Sequence, residues 1–200
     1  MSTPTPHTST NQGRGALIGL AALFFLPLAA AFWLYYAGGW RPAGTTNHGE
    51  LISPARPLGT PALQPLTGQK LDADVLRGRW TLVYIGDGGC AADCRQTLWV
   101  MRQTRLLLAE DRDRVQRLFI TESNCCDRPF LDAEHPGLLT LRAEDDAARQ
   151  WLGAFPRESG VPFIYVIDPL GNLMMRFDAR EDPKGLLRDL EKLLKLSHIG

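Results

Sequence analysis

The chain has 200 residues and a mass of 22.2 kDa, enough for one ordinary globular domain and little more. Its 22 Lys and Arg balance 22 Asp and Glu, which excludes a nucleic-acid binder or polybasic membrane-surface protein working through bulk positive charge. A hydrophobic share of 44% argues against wholesale disorder, and four cysteines are enough for a redox pair or a metal site but too few for a disulfide-framework miniprotein.

The charge is unevenly spread. Residues 1–40 contain no Asp or Glu and one basic side chain, Arg14, so the other 160 residues carry a net charge of −1. Residues 1–14 are rich in Ser, Thr and Pro and read as a disordered N-terminal tail. Residues 15–38 read as a transmembrane anchor. Within them Ala16 to Ala37 is an uncharged run of 22 residues, about 33 Å as a helix against a hydrocarbon core of about 30 Å. Trp33, Tyr35, Tyr36 and Trp40 gather at its C-terminal end, where an aromatic belt would lie.

Ala29-Ala30-Ala31 has the form of a signal-peptide cleavage site. The apolar stretch continues past it through Phe32 to Tyr36, which favours an uncleaved anchor. Lysine and arginine counts on the two sides do not decide orientation. Residues 39–66, rich in proline and glycine, read as an extended tether, followed by a domain over 67–200.

That domain alternates strand and helix signals. Trp80 to Ile85 is a β-prone run closed by Asp87-Gly88-Gly89, and Ala91 to Ala109 shows helical spacing of Cys94, Leu98, Met101 and Leu108. Val115 to Thr121 reads as a strand and 144–153 as a short helix. Strands follow at Val161 to Ile167 and Leu173 to Phe177, where Met174 and Met175 fit simple strand alternation. In the last helix Asp182 caps, Pro183 takes the first position, and Leu186, Leu187, Leu190, Leu193 and Leu194 form one face. The order β-α-β-α-β-β-α predicts an α/β fold, a thioredoxin-like mixed sheet flanked by helices on both faces.

Cys90-Ala91-Ala92-Asp93-Cys94 falls at the first strand-to-helix junction. Unpaired N–H groups at a helix N-terminus stabilise a thiolate there. The i,i+4 spacing puts the sulfurs on one face with Cα atoms about 6 Å apart, within disulfide reach. Two such thiolates also suit a soft cation such as Cu(I). Two buried structural cysteines are the plain alternative.

The segment Gly68 to Trp80, the strand, the CxxxC pair, and Gly160-Val161-Pro162 before a strand ending Ile167-Asp168-Pro169-Leu170-Gly171 resemble thioredoxin-like proteins. With the anchor, the chain resembles the Sco (SenC) branch, which delivers copper during cytochrome c oxidase assembly. Trp40 to Leu51 is similar to the tether of bacterial membrane proteins that accompany oxidase components. The resemblance implies that Cys90 and Cys94 are the redox-active, copper-binding pair, and that Pro162 is the cis proline beside them. It also implies a ligand histidine before the third strand, where this chain has Gly160.

The other histidines near the domain are His135 in a loop, His48 in the tether and His198 near the C-terminus, each read first as a solvated side chain. Cys125-Cys126 follows the second strand. If the first two strands are parallel neighbours, both cysteine loops leave the same sheet edge and all four sulfurs approach, as a sulfur-rich copper site or a thiol relay. An incidental exposed pair is the alternative.

The expected function is that of a membrane-anchored Sco-like assembly factor handling copper, or the thiols of a copper site, for cytochrome c oxidase. Its expected partners are respiratory oxidase subunits or assembly proteins rather than nucleic acid. The expected location is the inner (plasma) membrane, with the C-terminal domain in the periplasm or extracytoplasmic space. A general thiol-disulfide oxidoreductase, with Cys90 as nucleophile and Cys94 resolving, and a non-catalytic thioredoxin-fold interaction protein are the alternatives.

Overall fold

A computed structural model describes residues 11–36, 46–66, 71–122, 126–197 and 199, with side chains from residue 14. The chain divides into two units, 1–45 and 46–200. In the first, helix α1 (Asn11–Tyr36) contains Pro27, and its stretch Arg14–Tyr36 is long and apolar enough to cross a membrane. None of its 18 most apolar residues' stretch is buried in the protein, so this apolar surface has no core of its own to cover it.

The second unit is built on continuous apolar runs, which the backbone satisfies as strands buried on both faces. Strands β1 (Glu50–Pro57), β2 (Gln64–Pro65), β3 (Trp80–Gly86), β4 (Val115–Thr121), β5 (Leu138–Arg142), β6 (Phe163–Ile167) and β7 (Asn172–Asp178) form one sheet in the order β1-β7-β6-β3-β4-β5-β2. β3 pairs parallel with β4 and antiparallel with β6, and β4 pairs parallel with β5. The carboxyl ends of β3 and β4 and the amino end of β6 therefore meet at one edge.

Alternation splits the core in two. Leu82, Tyr84, Val115 and Phe119 pack under helices α2 (Ala92–Leu107) and α5 (Pro183–Leu196), against Leu98, Met101, Leu186 and Leu190. Val83, Leu118, Ile120 and Tyr165 pack on the other face with Leu152 of α4 (Asp146–Leu152) and with Phe155. Met175 is buried and Met174 half-buried, as alternation predicts. Asp182 caps α5 by accepting from the Lys184 N–H, with Pro183 in the first turn.

From residue 46 the stretch expected as tether is part of the sheet unit. β1 pairs antiparallel with β7 through Glu50↔Arg176 and Leu51↔Met175. The prolines that obscure the strand in sequence lie on an edge strand, where a missing N–H costs no ladder bond. His48, expected to be solvated, anchors this segment. The buried carboxylate of Asp189 on α5 accepts from the His48 and Gly49 N–H groups at 2.8 and 2.9 Å. The His48 ring lies 3.1 Å from the same carboxylate, and Arg188 Nη1 lies 3.2 Å from His48 Nε2, so the ring donates from Nδ1 and accepts at Nε2.

Gly185 makes this approach possible. A Cβ there would lie 2.6 Å from His48 Cβ, closer than packed carbons tolerate. Gly185→Ala should therefore destabilise the domain by about 1–3 kcal/mol. Denaturant unfolding should show the loss, and limited proteolysis should show faster cleavage between Thr46 and Pro57.

Candidate functional site

Cys90 and Cys94 are joined in a disulfide with Cα atoms 4.9 Å apart, at the junction of β3 and α2 as the spacing predicts. The N-cap of α2 is Ala91, which offers no side-chain oxygen, so no cap competes with the sulfurs for the first-turn N–H groups. Asp93 in that turn complements the helix dipole. The glycine-rich approach suggests exposure, yet Cys90 is 1% and Cys94 5% exposed, within the core under α2. The pair is capped by packing rather than presented on a loop tip.

Cys90 has φ +44°, the left-handed region that costs a residue with a Cβ about 1–2 kcal/mol. Its N–H donates to Asp87 O at 3.2 Å, and its carbonyl accepts from Arg95 Nε at 3.2 Å. Arg95 reaches further, with Nη2 3.1 Å from Asp127 and its guanidinium carbon 4.2 Å from the Phe130 ring centre. One side chain thus ties the CxxxC turn to the loop after β4. Tyr84, buried below and stacked on Phe119 at 5.6 Å, has its hydroxyl pKa pushed up by burial and then by Asp93 and Asp87.

The parallel pairing of β3 and β4 brings the second cysteine loop to the same edge, as expected. Cys126 packs against the cluster containing Cys90 and Cys94 and is itself disulfide-bonded. Cys125 lies outside the described residues, and with it the full four-cysteine arrangement. His198 also lies outside them. Gly160 precedes β6 with φ +74° and its carbonyl accepts from Arg180 Nη1 at 3.2 Å. Pro162 stands at the start of β6, beside the end of β3, but its peptide bond is trans. The cis bond among the described residues is Ser53–Pro54. Here the expectation of a cis Pro162 fails, and the chain reaches β6 instead through the left-handed Gly160.

A family model described as a transmembrane-like, thioredoxin-like C-terminal domain matches residues 80–197. The chain belongs to that family. No curated protein matches it. Among solved structures, copper-bound yeast Sco1 is similar, at 20% identity, over 77% of this chain and 96% of that one, with a TM-score of 0.58. BsSco, whose structure concerns a disulfide switch in a Sco-family cytochrome c oxidase assembly protein, shows 13% identity over 74% and 99%, at 0.56. The thioredoxin domain of a Bacteroides vulgatus thiol-disulfide oxidoreductase shows 15% identity over 75% and 99%, at 0.52. At these identities the shared feature is the thioredoxin-like fold.

Among the described residues no group of three His, Cys, Asp or Glu side chains is arranged to hold a metal. Among the described residues, Cys90 and Cys94 are two sulfurs with no third donor grouped with them. His135, expected in a solvated loop, instead closes helix α3 (Arg128–Glu134) and is 3% exposed. Its ring packs edge-on to Phe130 at 5.2 Å, and its Nδ1 has no hydrogen-bond partner.

Arg117 is also 3% exposed. It donates from Nη2 to Pro136 O at 2.7 Å, while Nε and Nη1 stay unpartnered. Burial, then Arg105 and Arg102, lower its pKa to about 10. Neither residue carries a sequence signal. A strand arginine beside Gln116 reads as surface, but alternation puts it on the inward face of Val115 and Phe119, where its Nη2 meets the Pro136 carbonyl.

Burial, then Arg117 and Arg102, lower the His135 pKa from 6.5 to about 4. Between those values the folded chain binds fewer protons than the unfolded chain. The contribution is therefore fully present above about pH 6.5 and is lost as pH falls through about 4, up to about 3 kcal/mol. His135→Leu should flatten this part of the pH dependence, measured as the difference in urea midpoint between about pH 7 and about pH 4.5. An unchanged difference would mean that other groups carry it.

Proposed function

We propose that the chain is a membrane-anchored, Sco-like assembly factor that acts on the thiols of a copper site during cytochrome c oxidase biogenesis. In this reading residues 15–38 anchor it, and the sheet unit over 46–200 works in the periplasm or extracytoplasmic space. Cys90 and Cys94 are the reacting pair, and respiratory oxidase subunits or assembly proteins are the partners. The observation that carries the reading is the Cys90–Cys94 disulfide at the amino end of α2, in a fold shared with Sco proteins and a thiol-disulfide oxidoreductase.

The chemistry is exchange. A partner thiolate attacks one sulfur of the 90–94 bond, forming a mixed disulfide and releasing the other cysteine as a thiolate. A second partner thiol then displaces the protein sulfur. The partner loses two electrons and two protons, and Cys90 and Cys94 take them up as thiols. The same steps in reverse reduce an oxidised partner. Copper, in this reading, is cargo. Two reduced sulfurs are its donors here, and without a third donor among the described residues, thiol handling is favoured over copper delivery.

The full chain in detergent micelles should equilibrate its 90–94 pair with glutathione, and Cys90→Ser should abolish that exchange. Reduced wild type should hold no more Cu(I) against a chromophoric chelator than Cys90→Ser does. Stoichiometric Cu(I) retention lost in Cys90→Ser would restore copper delivery as the main role. A pair that never exchanges would leave the non-catalytic interaction protein.

A further inference from the structure

Exchange requires a thiolate to reach one sulfur of the 90–94 bond, and both are buried, Cys90 at 1% and Cys94 at 5% exposure. A thiol that the domain itself holds in the same core meets that requirement without unfolding. Cys126 is a sulfur in that position. It is half-buried, so it also reaches the surface, and it packs against the cluster containing Cys90 and Cys94. Cys90 and Cys94 bond each other, so the disulfide in which Cys126 takes part is a second one. The remaining cysteine of the sequence is Cys125, which lies outside the described residues.

Backbone and side-chain contacts hold Cys126 beside the first bond. Gly86 and Thr121 are paired in register where β3 and β4 end. Cys90 follows Gly86 by four residues, and Cys126 follows Thr121 by five. Arg95 spans the two loops, with Nε donating to Cys90 O at 3.2 Å and Nη2 lying 3.1 Å from Asp127, the residue after Cys126. The Cys126 carbonyl accepts from the Arg128 N–H at 2.7 Å, and Asp127 caps α3 through the Phe130 N–H at 3.2 Å. Phe130 and Leu131 then pack into the same cluster, which fixes the chain on the C-terminal side of Cys126.

We propose that Cys126 is an internal carrier, through which a folded partner exchanges electrons with the buried 90–94 pair. The proposal rests on the exchange reading above and adds a step to it. A partner dithiol first reduces the Cys126 disulfide: one thiolate attacks it, the second partner thiol resolves the mixed disulfide, and two protein thiols are left. The Cys126 thiolate attacks the 90–94 bond, bonding to one sulfur and releasing the other as a thiolate. The thiol formerly bonded to Cys126 then attacks Cys126 Sγ, restoring the second disulfide and releasing the last thiolate. Two electrons and two protons pass from the partner to Cys90 and Cys94, and Cys126 ends as it began. Confinement in one domain makes the middle step a local reaction.

The test compares the full oxidised chain in detergent micelles with Cys125→Ser/Cys126→Ser. Two reductants of different size are used, reduced thioredoxin as a folded dithiol protein and dithiothreitol as a small one. Reduction of the 90–94 bond is followed by alkylation and peptide mass mapping. The variant should react about tenfold more slowly with thioredoxin than wild type does, and lose much less with dithiothreitol. A merely loosened core would instead speed both. Reach is tested separately, because Cys94→Ser/Cys125→Ser leaves Cys90 with Cys126, and Cys90→Ser/Cys125→Ser leaves Cys94 with Cys126. At least one of these chains should form an intramolecular disulfide in glutathione buffer, found as a cross-linked peptide.

Equal thioredoxin rates in wild type and Cys125→Ser/Cys126→Ser would overturn the proposal, as would the absence of a cross-linked peptide from both two-thiol chains. So would thioredoxin leaving intact a wild-type bond that dithiothreitol reduces. In each of these cases reduction by dithiothreitol keeps the exchange reading, and the carrier fails alone. If neither reductant opens the 90–94 bond of wild type, the exchange reading fails with it.

Discussion

The arrangement of everything chemical in this domain follows from the pairing of β3. Parallel to β4 and antiparallel to β6, it brings two strand ends and one strand start to a single sheet edge. Backbone hydrogen bonding fixes that registry across seven consecutive pairs, Trp80↔Val115 through Gly86↔Thr121. The CxxxC turn, the loop carrying Cys126 and the Gly160-to-Pro162 approach are consequences of it. Move the register by one residue and Tyr84, Leu82 and Trp80 would leave the α2 side of the core.

Around that edge the structure trades exposure for control. The disulfide is buried, Cys90 sits in a left-handed conformation, and Arg95 braces its carbonyl while pairing with Asp127. At the far end of the sheet the clasp of Asp189 on His48 and Gly49 holds β1 in place, so the segment leading into the domain is a structural strand.

Much of the fold is legible along the chain because its signals are local. The strand over 115–121 and the last helix stand where alternation, capping and leucine spacing put them. The helix expected over 91–109 runs Ala92–Leu107, and that over 144–153 runs Asp146–Leu152. β1, β5 and α3 are not legible. ELISPARP carries two prolines, LLTLR is five residues long, and α3 is seven residues held by the Asp127 cap. Each is stabilised by the partner it packs against more than by its own composition.

The candidate site divides in the same way. By itself the sequence determined that a long apolar segment precedes the domain and that a CxxxC pair stands at a strand-to-helix junction with its sulfurs in bonding reach. These depend on residue type and on spacings of a few residues, which helix geometry converts directly into distance. Only the tertiary structure decided that the pair is buried, that Pro162 is trans, that His48 is a clasp, and that His135 and Arg117 lie in the interior. Those outcomes depend on which distant segments come together over a residue. Burial, ion pairing and shifted protonation arise from such neighbours, and a linear pattern does not specify them.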